Sequence, residues 1–134
     1  MTDSFIKSEL ARAWRESDLD EPVNRHEEGG YIVMNDEGAW AVERSPPGGQ
    51  SRVVPPPLDA SQRYNGMRVV GTFHTHPNPL IDELGREWEQ APSESDRRWH
   101  RRRGIRGFVI SRSMVYEIEP TGAIIERGER EKVL

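Results

Sequence analysis

Two histidines separated by one residue, in the run Gly71-Thr72-Phe73-His74-Thr75-His76-Pro77, have the types and spacing to do chemistry. On an extended segment positions i and i+2 share a face, so both imidazoles can converge on one ion. Downstream, Pro92-Ser93-Glu94-Ser95-Asp96 supplies a carboxylate, Asp96, as a third ligand. Two imidazoles and a carboxylate suit zinc, and three protein ligands leave one tetrahedral position open for water, which separates a catalytic site from a closed structural one. A zinc ion lowers the pKa of bound water from about 15.7 to about 7, giving a nucleophile at neutral pH without Ser or Cys.

Composition narrows the alternatives. At 134 residues, the chain is expected to form one domain over residues 1–134, burying roughly two-thirds of its unfolded surface. With 23 Asp and Glu against 19 Lys and Arg, the net charge is -4, so no global basic field points to nucleic acid. The chain has no cysteine, which removes disulfides, thiolate catalysis and Cys-type zinc sites together. Met1-Thr2-Asp3-Ser4 carries no basic region followed by an apolar run, and no segment approaches about 18 consecutive apolar residues. The expectation is a soluble, cytoplasmic protein with neither a membrane nor a nucleic-acid partner.

Several elements must position these ligands. Residues 4–17 read as a helix, with Ser4 as a cap and Phe5, Ile6, Leu10 and Trp14 near one face. The runs 31–34 and 39–43 flank Asn35-Asp36-Glu37-Gly38, a turn signal, and predict a hairpin. Residues 45–49 and 55–57 read as loops, and 59–65 as a helical turn. Residues 68–73 read as a strand delivering His74 and His76 at its end, where Pro77 cannot continue a ladder. The connection 78–92 carries a predicted short helix around 82–90. Residues 93–103 read as a helix stopped by Gly104, followed by antiparallel strands at 107–111, 114–118 and 123–126. The charged tail 126–132 reads as a frayed, solvated end.

His74-Thr75-His76-Pro77 followed by Ser93-Glu94-Ser95-Asp96 resembles the JAMM (MPN-plus, JAB) metalloproteases, whose signature is a Glu, then His-Ser/Thr-His-Pro, then Ser-x-x-Asp. In many members the Glu stands three residues before a glycine that opens an apolar strand. Glu27-Glu28-Gly29-Gly30-Tyr31-Ile32 matches with Glu27 in that place and Glu28 as the fallback. The resemblance implies an α/β fold with a cytidine-deaminase-like mixed, curved sheet flanked by helices, with zinc on His74, His76 and Asp96. It assigns Glu27 as the acid–base that moves the water's proton to the leaving amine, and Ser93 as a donor to the oxyanion. The implied reaction is hydrolysis of an amide or isopeptide bond at the C-terminal tail of a ubiquitin-like protein, as in prokaryotic stand-alone members. A peptidase of a toxin- or phage-associated system, or a non-catalytic binding module, are the alternatives.

Residues 77–92 are longer than the family's usual spacer of about seven residues. An insertion there is thermodynamically cheap, since doubling a loop costs roughly 0.6 kcal/mol. Pro79, Leu80, Ile81, Leu84 and Trp88 could form a lid over the site or pack down as a flap. Taken singly, each motif has a plainer explanation. His-x-His is common on surfaces, Ser93-x-x-Asp96 is a helix cap with an acid in the first turn, and Glu27 and Glu28 are solvated carboxylates. His26 reads as an exposed loop residue, and His100, at i+4 from Asp96, as a non-ligand. The arginines at 97, 98 and 101–103 read as a solvated helix face, and Trp14, Trp40, Trp88 and Trp99 as packing.

Overall fold

A computed structural model describes residues 4–17, 24–49, 58, 63–88 and 90–134. The first helix, α1 (Ser4–Glu16), buries Ile6, Leu10, Ala13 and Trp14, a spacing that returns to one face every turn. Phe5, expected on that face, is exposed instead. Seven strands follow among the described residues: β1 (Gly29–Met34), β2 (Trp40–Arg44), β3 (Arg63–Tyr64), β4 (Met67–His76), β5 (Gly107–Ser111), β6 (Met114–Ile118) and β7 (Ile124–Glu129). They form one mixed sheet in the order β2-β1-β4-β5-β6-β7, with β3 added on β4. Helix α2 (Glu94–Arg103) makes the crossover between β4 and β5, the parallel pair, and every other pairing is antiparallel.

The hairpin turn forms as its residues require. Asn35 Oδ1 accepts from the N–H groups of Glu37 and Ala39, and Gly38 takes the left-handed conformation, φ 83°, that an L side chain resists. Alternation then divides the core between two faces of the sheet. Ile32, Phe73, Phe108 and Ile110 pack under α1. Tyr31, Val33, Val69 and Ile105 form a second cluster, against which Trp99 of α2 packs. The molecule is thus mixed α/β, a seven-stranded sheet with helices against it. No helix among the described residues is long and apolar enough to cross a membrane.

Further local expectations are corrected. The tail is ordered: β7 runs to Glu129 and a short helix, α3 (Arg130–Val133), follows. The Arg130 guanidinium lies 4.7 Å over the Trp14 ring, and Leu134 packs against the α1 cluster. Tertiary partners therefore order the segment, while Glu126, Arg127, Glu129, Glu131 and Lys132 stay solvent-exposed as their charges suggest. In place of the helix expected at 82–90, the described residues 82–88 and 90 form none; turns and a bridge between Ile81 and Glu87 shape the loop there. In the segment 59–65, residues 63 and 64 are strand rather than helical turn, while 59–62, like the loop expected at 55–57, lie outside the described residues. Of the tryptophans, Trp14 is buried, Trp88 and Trp99 are half-buried and Trp40 is half exposed.

Candidate metal centre

The C-terminal end of β4 carries His74, Thr75 and His76, and alternation sends the imidazoles to one face and the threonine to the other. The two Nε2 atoms stand 3.2 Å apart. Thr75 is fully buried on the opposite face. Its hydroxyl lies 2.8 Å from the Ser17 hydroxyl at the end of α1 and accepts from the Glu28 N–H at 3.0 Å. The Thr75 N–H in turn donates to the Glu28 carbonyl at 2.9 Å. The residue between the histidines thus pins the segment that carries both candidate glutamates.

Asp96 arrives from the first turn of α2. Ser93 caps that helix: its hydroxyl accepts from the Asp96 N–H at 3.0 Å, and Asp96 Oδ2 accepts from the Ser93 N–H at 2.8 Å, a reciprocal capping box. The same Oδ2 lies 3.3 Å from His74 Nε2 and 3.7 Å from His76 Nε2. Cap and candidate ligand, competing explanations of Ser93-x-x-Asp96 in the sequence, are therefore one arrangement. The cap aims the carboxylate.

The adjacent glutamates separate for a physical reason. Neighbouring side chains on an extended segment point to opposite sides. Glu28 turns toward Arg44 and His26 and is held by both. Glu27 turns toward the histidines, and a carboxylate oxygen of Glu27 and one nitrogen each of His74 and His76 all lie within 4.8 Å of one another. The Glu27 backbone is clamped on both sides, its N–H donating to the Gly49 carbonyl and its carbonyl accepting from the Gly48 N–H.

These donor atoms suit a cation. A tetrahedral ion with bonds of about 2.0–2.1 Å spaces its ligand atoms roughly 3.3 Å apart. The three separations among His74 Nε2, His76 Nε2 and Asp96 Oδ2, 3.2, 3.3 and 3.7 Å, are close to that edge length. The His76 ring is also oriented for it: Nδ1 lies 3.2 Å from the Gln90 carbonyl. A carbonyl can only accept, so Nδ1 carries a proton, and whenever the ring is neutral its Nε2 lone pair faces the cluster.

Charge divides the two carboxylates. Burial alone would raise the Asp96 carboxyl, but the hydrogen bond and charge of His74, the Ser93 N–H and the charge of His76 outweigh it and hold the group well below the usual carboxylate range. Glu27 goes the other way, pushed up to about 7 by burial, with His74 opposing and Asp96 adding to the rise. Burial lowers the His74 imidazole, yet the Asp96 hydrogen bond and the charges of Asp96 and Glu27 reverse that and raise it. A ligand must be deprotonated, which suits Asp96, whereas a proton carrier works best near ambient pH, which suits Glu27. Opposite shifts on neighbouring carboxyls are how one site separates such roles.

Ser93→Ala is expected to lower kcat by roughly 10- to 10³-fold with little change in KM if its hydroxyl serves the oxyanion. Loss of the cap should also cost about 1 kcal/mol of stability. Rates are to be compared well below the melting transition, with zinc content measured in parallel. A loss wholly accounted for by unfolded protein would leave Ser93 as a cap alone.

The remaining sequence candidates have structural roles. His100 is buried, its Nδ1–H donating to the Ile105 carbonyl at 2.6 Å and its Nε2 lying 3.2 Å from the Thr72 hydroxyl. His26 spans the Asn24 carbonyl and the Glu28 carboxylate. Of the basic run, Arg97 donates to the Gly122 carbonyl, Arg97 and Arg101 pair with Glu94, and Arg103 lies over Trp99. Thr75, Arg44 and Gln90 are positioning residues that sequence reasoning missed. Thr75 sits inside the motif and could have been found from the alternation of the strand. Gln90 acts through its carbonyl, which no side-chain pattern reveals. Compared with protein-family models and with curated proteins, the sequence matches none of them.

Proposed function

We propose that this protein is a zinc-dependent metallopeptidase of the JAMM type, hydrolysing an amide or isopeptide bond at the C-terminal tail of a ubiquitin-like protein. The observation that carries it is one cluster: two imidazoles and an ionised carboxylate spaced for a single ion, beside a buried Glu27 whose carboxyl is poised near 7. His74, His76 and Asp96 would hold the ion. When bound, zinc supplies a Lewis acid for the scissile carbonyl and acidifies a water. Glu27 takes the proton released as the water attacks and returns it to the departing amine nitrogen, a transfer that a carboxyl titrating near neutrality performs in both directions. Ser93 offers a hydroxyl donor to the oxygen that gains charge. No Ser or Cys nucleophile is required, in keeping with the absence of cysteine.

Exposed apolar side chains favour a protein substrate over a small molecule. Leu80, Ile81 and Leu84 are 64%, 60% and 78% exposed on the loop that leaves His76. They are not packed down as a flap. Exposed large apolar groups gathered beside a site are suited to meeting another protein. A bond in a folded protein reaches a centre between a strand end and a helix start through a protruding tail.

The test is incubation of the zinc-loaded protein with a ubiquitin-like protein extended at its C-terminus by a peptide or an isopeptide-linked lysine, followed by intact-mass measurement. Cleavage at the tail junction, stopped by a chelator and restored by zinc, is the expected result. Stoichiometric zinc without cleavage of either linkage would instead leave the chain as a non-catalytic binding module.

A further inference from the structure

The loop after Pro77 has little secondary structure, yet its polar groups converge on one buried carboxylate. Asp82 Oδ1 accepts from the N–H groups of Leu84 and Arg86 at 2.9 and 2.8 Å. Its Oδ2 accepts from Arg86 Nε at 2.7 Å and from the Trp88 indole at 2.9 Å. Its backbone adds two bonds, from its own N–H to the Arg86 carbonyl and from the Gly85 N–H to its carbonyl. The Trp88 N–H then closes on the Leu80 carbonyl at 3.0 Å. With Leu80, Ile81 and Leu84 facing solvent, these hydrogen bonds rather than apolar packing shape the loop, and the Asp82 carboxylate gathers four of them beside the backbone bridge between Ile81 and Glu87.

That shape ends at the metal cluster. The Gln90 side chain donates from Nε2 to the Asn78 carbonyl at 2.8 Å, joining the two ends of the loop. The Gln90 backbone carbonyl, held by this closure, faces His76 Nδ1. A second tie runs from the loop to the segment bearing Glu27: Arg25, itself buried, meets Glu83 at 2.6 Å.

We infer that Asp82 is a positioning residue for the candidate metal centre, shaping the 80–88 loop into a brace that holds the Gln90 carbonyl on His76 Nδ1. Through that carbonyl it selects the ring tautomer whose Nε2 lone pair faces His74 and Asp96. With the brace released, the His76 proton is free to move to Nε2, where it blocks ligation. Losing an outer-shell partner of a ligating histidine typically costs about 10- to 100-fold in metal affinity. The functional consequence rests on the zinc reading above, whereas the tautomer does not depend on it.

The experiment uses the full chain with Asp82→Ala, Asp82→Asn and, as a control on the same loop, Leu84→Ser. The first measurement is the His76 tautomer in the metal-free protein with the ring neutral, read from long-range nitrogen–proton correlations. The second is zinc affinity, by competition with a chelating dye. The wild type is expected to carry the proton on Nδ1, and Asp82→Ala to lose that preference and bind zinc about 10- to 100-fold more weakly. Asp82→Asn, which keeps one acceptor oxygen, should fall between, and Leu84→Ser should match the wild type. A wild-type tautomer or wild-type zinc affinity in Asp82→Ala overturns the inference. If that variant fails to fold, Asp82→Asn decides on the same criteria. If the wild type takes up no zinc, the proposed function fails and the tautomer alone decides the role of Asp82.

Discussion

Replacing His74 and His76 together by alanine is expected to abolish stoichiometric zinc binding and all hydrolysis that depends on it, while the sheet stays intact. Both imidazoles are partly accessible at the end of β4, and neither belongs to the apolar clusters that hold α1 and α2 on the sheet. Asp96 alone cannot retain the ion, and no cysteine exists to substitute. The loss should therefore exceed the roughly 10- to 100-fold typical of removing an outer partner. A ligand that binds only the folded state stabilises it by about 2.7 kcal/mol at a concentration 100 times its dissociation constant. Zinc should accordingly raise the melting temperature of the wild type and leave the double variant unmoved. Full metal occupancy of the double variant by elemental analysis would remove His74 and His76 from the ligand set.

Glu27→Gln should uncouple metal from rate: zinc stays bound while turnover falls by roughly 10²- to 10⁴-fold, the usual contribution of a positioned acid or base. Its partner measurement is stability against pH in the metal-free protein. Burial raises the folded-state Glu27 carboxyl from 4.5 to about 7. Between those values the folded protein keeps a proton that the unfolded chain has released, so rising pH favours unfolding through this group. The wild type should lose stability relative to Glu27→Gln across that window, by up to roughly 3 kcal/mol, with no difference below it and a constant one above. Glu28→Gln should instead disturb the contacts to Arg44 and His26. An inactive Glu28→Gln beside a normal Glu27→Gln would exchange the two roles, and normal rates in both would overturn the mechanism.

Short-range order determined what the sequence could show by itself. Helix α1 follows from the spacing of Ile6, Leu10 and Trp14, the hairpin from Asn35 to Gly38, and α2 from Ser93, Asp96 and Gly104, each a signal contained within a few residues. The pair His74 and His76 was equally legible, because the two-residue repeat of a strand places both rings on one face. Asp96 was legible as a residue type, though not as cap and candidate ligand at once, since the capping box that aims it is a matter of atoms rather than of composition.

Only the tertiary structure decided what depended on partners far along the chain. Glu27 and Glu28 are chemically alike, and they part because Arg44 of β2 and the Thr75 hydroxyl of β4 hold the neighbouring segment in one orientation. The tail reads as frayed by charge and is indeed exposed, yet it is ordered because β7 pairs with β6 and Arg130 reaches Trp14. The loop after His76 has no periodicity to read, because its form depends on a single carboxylate gathering donors from residues 84, 86 and 88. Periodic hydrogen bonding leaves a pattern in the sequence, whereas one buried acceptor satisfying several donors leaves only an aspartate among other charged residues.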